Sequence, residues 1–107
     1  MNPDLRRLDD DEITAAIGGL AGWHLAGGKL RREFVFADFV EAIGFMMRAA
    51  VWAERLNHHP EWSNTYRTVW VDLQTHDVGG ISRLDVELAA RLNDLADRPT
   101  TARPPTA

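Results

Sequence analysis

The 107-residue chain contains no cysteine, which excludes disulfides, thiolate metal ligands and a cysteine nucleophile. It has no uncharged apolar run of about 18 residues, the length that marks a membrane-spanning helix. The opening residues MNPDLRRLDDDE lack the apolar stretch of a secretion signal, so a cytoplasmic protein that does not engage a membrane is expected. Long basic runs are also missing and the net charge is −4. That argues against a nucleic-acid partner, because phosphate binding is driven by clustered Lys and Arg. Neither H-x-H nor H-E-x-x-H occurs, which removes two familiar histidine spacings of a zinc site. There is no internal repeat and no domain boundary.

What is present is enough for one folded core. The apolar fraction is 45% and there are four tryptophans, the composition of a globular domain. A single domain over residues 1–97 is expected. The aperiodic, proline-bearing end RPTTARPPTA, residues 98–107, is expected to be a disordered tail.

Residues 9–19 open with acids, as a helix N-terminus favours, and Ile13, Ile17 and Leu20 fall on one face. Gly18 and Gly19 suit its end. Residues 22–37 read as a β-hairpin turning at Gly27-Gly28, with Leu30, Phe34 and Phe36 of one parity. Asp38 is placed to cap a helix over 39–57, in which Val40, Ile43, Met47 and Val51 mark the expected buried stripe, widened by Phe39, Met46 and Ala50. His59-Pro60 is expected to end it. Residues 66–76 read as a strand with Val69, Val71 and Leu73 on one face, paired with the first hairpin or with a shorter strand near 61–64. Ser82 and Asp85 form a capping box for a last helix carrying Leu84, Leu88, Leu92 and Leu95. This order fits an α+β fold, an antiparallel sheet with helices on one face.

The chemistry concentrates in AERLNHHPEWSNTYRTVWVDLQTH, residues 53–76. His58 and His59 are adjacent and so point to opposite sides of an extended chain, a poor start for one shared metal ion. They also suit plain helix C-terminal decoration, where positive charge is mildly favourable. A third reading is proton transfer, since imidazole gives and takes protons near neutral pH. Glu54 lies within about 40° of the apolar stripe on a helical wheel, so its carboxylate is expected to be partly desolvated and to need a partner. Trp62, Tyr66 and Trp70 are close enough in sequence to wall a flat heterocycle, or simply to fill core.

Glu54-x-x-x-His58-His59-Pro60-Glu61-Trp62, then Tyr66, Thr75-His76 and Asp85, resembles the signature of the pterin-4a-carbinolamine dehydratases. The likeness runs from about Trp23 through DFVEAIGFMMRAA to Leu95, with a histidine 17 residues after His59. The resemblance implies an αββαββα subunit with a four-stranded antiparallel sheet and three helices on one face, assembled as a homodimer or homotetramer. It implies a lyase that removes water from 4a-hydroxytetrahydrobiopterin to give quinonoid dihydropterin, in tetrahydrobiopterin recycling, with no metal and no organic cofactor. It also leaves an alternative, a non-catalytic pterin-binding or dimerisation module on the same fold. Carried over by position, His58, His59 and His76 are the catalytic histidines. Glu54, Pro60, Trp62, Thr75, Asp77 and Asp85 become the substrate-binding set, with Glu54 expected to orient His58.

Overall fold

In the computed structural model, residues 5–98 are described. They form α1 (Asp10–Gly18), β1 (His24–Ala26), β2 (Lys29–Val35), α2 (Phe39–Leu56), β3 (Glu61–Thr65), β4 (Thr68–Leu73), a 3₁₀ turn (His76–Val78) and α3 (Arg83–Ala96). This is the αββαββα order expected, and the class is α+β. Of the tail expected over 98–107, residues 99–107 lie outside the described residues.

All four strands are antiparallel, in the order β1-β2-β4-β3. Gly27 and Gly28 both have positive φ, 58° and 77°, the backbone that a two-residue hairpin turn demands and that glycine adopts without steric cost. The β3–β4 connection is also two residues long, Tyr66-Arg67, with Thr65 opposite Thr68. Tyr66 has φ 51°, so it belongs to this turn and not to the strand expected from 66; the strand proper runs from Thr68 to Leu73.

Register then fixes the faces. Leu30 pairs with Leu73 and Phe34 with Val69, and these four, with Val71, are buried. Phe34 meets Phe45 of α2 at 4.8 Å between ring centroids, and Phe36 meets it at 4.9 Å. Leu88, Ala89 and Leu92 of α3 complete the core. Each of the leucines, valines and phenylalanines among them contributes about 1.5–3 kcal/mol on leaving water. The opposite face of the sheet carries Arg31, Glu33, Val35 and Trp70, all exposed. Arg31 there pairs with Asp72 at 2.7 Å and holds that carboxyl below its usual range.

Helix α2 is capped as expected, with Asp38 accepting from the Glu41 amide at 2.9 Å. Its orientation corrects the stripe read from periodicity. Val40, Ile43, Met47 and Val51 are exposed, at 57, 37, 68 and 52%. The residues facing the sheet are Ala42, Phe45, Ala49 and Ala53. The two sets share one spacing and are offset by two positions, about 200° around the helix. Three alanines let the backbone approach Phe34 and Phe36, while the bulkier residues are left outside.

The helix ends earlier than the proline required. Asn57 takes the left-handed conformation (φ 48°, ψ 44°), and its amide donates back to Ala53 and Glu54, a C-terminal closure typical of glycine or asparagine.

Candidate active site

The reversal at Asn57 decides where the two adjacent histidines go. His58 turns inward and is buried, while His59 stays exposed. His58 Nε2 lies 2.5 Å from Asp85 Oδ1. The other oxygen of Asp85 accepts from Thr75 Oγ1 at 2.8 Å and from the Ser82 amide at 2.9 Å, and Thr75 Oγ1 also meets Ser82 Oγ at 2.6 Å. Asp85 is fully buried, a position a carboxylate occupies only when its lone pairs are taken up. Helix capping and support of His58 are therefore one structure, since the same carboxyl serves both.

Glu54 does not orient His58, as had been expected from its position four residues earlier. Its Oε1 lies 2.6 Å from His59 Nε2, and its side chain is 78% exposed. The physical reason is the αL residue: once Asn57 leaves the helix, the i, i+4 relation no longer holds, and His59 folds back over the last turn. The expected desolvation of Glu54 fails for the same cause as the stripe, because that side of α2 faces outward.

His76 begins the 3₁₀ turn and is exposed. Its Nδ1 lies 3.5 Å from Gln74 Nε2, and its Nε2 lies 3.8 Å from Glu61 Oε1. Glu61 is held by Lys29 at 2.7 Å, which keeps its carboxyl below the usual range. The loop carrying His76 is closed at its base by the Thr75 amide, which donates to Gly80 O at 2.8 Å.

These elements enclose a cleft of about 350 Å³, lined by Leu5, Asn57, His58, His59, Gln74, Thr75, His76, Asp77 and Leu84. The volume falls at the small end of typical ligand sites. His58, His59 and His76 meet there with Thr75 and Asp77. Asp85 sits behind His58, and Glu54 lies beside His59. Pro60 and Trp62 do not reach the lining. Trp62 pairs with Val71 on the core face, whereas Trp70, opposite Ser63, is on the open face and Tyr66 is in the far turn. The strand alternation puts the three rings in different places, so they form no common wall. Leu5, Asn57, Gln74 and Leu84 were not singled out by sequence. Of these, Asn57 and Gln74 carried a signal, being polar and within two residues of His58 and His76.

Because Nε2 of His58 and of His59 each faces a carboxylate, Nδ1 is the ring nitrogen of each that stands outside that contact. A carboxylate accepts and cannot donate, so in each neutral ring the proton resides on Nε2 and Nδ1 carries the lone pair. Among the described residues no group of three His, Asp or Glu side chains is arranged to hold a metal ion, and no helix is long and apolar enough to cross a membrane.

On a small α+β fold, three imidazoles gather at one open cleft, and two of them face carboxylates. The chain belongs to the pterin 4 alpha carbinolamine dehydratase family, whose family model matches residues 6–95. A protein of Solibacter usitatus carrying that activity as a provisional name is 50% identical over 90 residues, covering 84% of this chain and 95% of the relative. One of Mesorhizobium japonicum, provisionally named in the same way, is 51% identical over 89 residues, covering 81% and 91%. A crystal structure from Brucella melitensis, described as a transcriptional coactivator/pterin dehydratase, superposes with a TM-score of 0.83 at 43% identity, covering 85% of this chain and 99% of that one.

Proposed function

We propose that this protein dehydrates 4a-hydroxytetrahydropterins, with 4a-hydroxytetrahydrobiopterin as substrate, and acts in the cytoplasm in tetrahydrobiopterin recycling. The observation that carries the reading is the convergence of His58, His59 and His76 on one cleft. In the reaction an imidazolium protonates the 4a-hydroxyl, and the C4a–O bond breaks to release water. The N5 lone pair then forms the C4a=N5 double bond, and a neutral imidazole takes the proton from N5. His58 and His76 are assigned as proton donors. Asp85 behind His58 supplies the counter-charge for its cationic form. His59 is assigned as the base, through the Nδ1 that its contact with Glu54 leaves open. Thr75 and Asp77 offer polar contacts to the ring edge. The chemistry needs no metal or organic cofactor, because every proton has a protein donor or acceptor.

Dehydration is followed by the absorbance of 4a-hydroxytetrahydropterin, with and without protein and with no metal added. Acceleration over buffer is expected, and His76→Ala is expected to lower it by about 10²–10⁴-fold. A wild-type rate equal to that of buffer overturns the reading.

A homo-oligomer is proposed with it. The outer stripe of Val40, Ile43, Met47 and Val51, with Phe39 also exposed, is a helix-long apolar surface of the kind that pairs with another subunit. A second reading, a non-catalytic binding or dimerisation module, draws on the coactivator description of the Brucella structure. It would replace the first if activity were null and a stoichiometric protein partner were recovered.

A further inference from the structure

Two apolar side chains interrupt the polar lining of the cleft, Leu5 and Leu84. Leu84 belongs to the first turn of α3. Leu5 arrives on an extended segment ahead of α1 that has no regular structure of its own, yet three contacts fasten this segment. The Leu8 amide donates to Ile81 O at 2.8 Å. Arg6 makes a forked ion pair with Glu12, at 2.8 and 2.5 Å, and Glu12 in turn closes the capping box of α1 with Asp9. The Arg7 side chain lies against Gly80, where an added Cβ would come within 2.9 Å of Nε and 3.2 Å of Cδ. Gly80 accepts the Thr75 amide, so the segment is fixed to the same loop that carries His76.

We infer that the strap over residues 5–9 is a specificity element of the site, with Leu5 forming the apolar wall against which the carbon substituent of the bound pterin packs. The inference rests on the dehydratase reading. A pterin presents ring nitrogens, an oxo group and an amino group along its edges, which Asn57, Gln74 and Asp77 are equipped to hydrogen-bond. Leu5 and Leu84 have nothing to offer those edges. Their contribution is dispersion and burial of carbon, which a 6-alkyl group supplies and a hydrogen at C6 does not. Leu5 carries no proton, so its effect falls on binding and not on the chemical step.

The test is steady-state kinetics of wild type and Leu5→Ala on two substrates, 4a-hydroxy-6-methyltetrahydropterin and its 6-unsubstituted counterpart. Leu5→Ala is expected to raise KM for the methylated substrate about 10-fold, to raise it less for the unsubstituted one, and to leave kcat within about 2-fold for both. Arg6→Gln loosens the strap without touching the cleft and is expected to move KM in the same direction by a smaller factor. The dissociation constant of 6-methyl-7,8-dihydropterin, from fluorescence titration, should rise with KM in Leu5→Ala, which gives a readout independent of turnover. An active wild type in which Leu5→Ala leaves both KM values and the dissociation constant unchanged, or lowers kcat alone, overturns the strap and spares the dehydratase reading. An inactive wild type overturns the dehydratase reading itself.

Discussion

His58 Nε2 and Asp85 Oδ1 stand 2.5 Å apart, with Asp85 fully buried and His58 nearly so. The pair joins the start of α3 to the end of α2 across 27 residues of chain, so it serves stability and orientation together. Asp85→Ala strips partners from His58, Thr75 and the Ser82 amide at once, and is expected to cost about 3–5 kcal/mol, as for a buried pair that loses one member. Urea denaturation reads this directly. Asp85→Asn keeps the volume but loses an acceptor, and a fall in dehydration rate of about 10²-fold is expected.

The Glu54–His59 contact has nearly the same length, 2.6 Å, but both side chains are more than half exposed. Water and salt screen such a pair, so Glu54→Gln should change stability by less than about 1 kcal/mol. Its effect on rate should also be smaller than that of Asp85→Asn. Equal losses in both variants would mean that burial does not separate the two carboxylates.

Helix α2 offers a comparison of its two apolar faces. Met47→Glu, on the outer stripe, is expected to shift the solution mass toward smaller species in light scattering, with little change in the fold of the subunit. Ala49→Leu, on the inner face, is expected to cost about 1–3 kcal/mol through overpacking against the sheet. A monomeric wild type at micromolar concentration would remove the role proposed for the outer stripe.

Acid should loosen the strap. Hydrogen bonding from Arg6, then from the Asp9 amide, lowers the Glu12 carboxyl from 4.5 to about 2. A carboxyl lowered in the folded state contributes stability that is fully present above its unfolded value and is lost as pH falls through the folded one. The stability advantage of wild type over Glu12→Gln should therefore be constant above about pH 4.5, shrink below it, and vanish near pH 2. Paired urea titrations across that range check the sign. An advantage that grows toward low pH would contradict it.

Local signals were legible wherever one residue type has one conformational use. Gly27-Gly28 announced a hairpin, and Asp38 and Ser82 announced helix starts, because positive φ and unsatisfied amides are needs of the backbone alone. The histidine pattern named three side chains that line one cleft. The buried face of α2 was not legible. Val40, Ile43, Met47 and Val51 have the same spacing as Ala42, Phe45, Ala49 and Ala53, and hydrophobicity favours the first set. Leu5 was silent too, a lone leucine outside any periodic run.

The sequence by itself determined the helices and strands, their order and the three imidazoles that come to line the cleft, since these follow from local backbone preference and residue chemistry. Only the tertiary structure decided which carboxylate meets which histidine and which face of α2 is core. Those choices depend on a single left-handed residue at Asn57 and on how closely α2 can approach the rings of Phe34 and Phe36. Both are set by contacts between distant parts of the chain, which the spacing of residues along it does not encode.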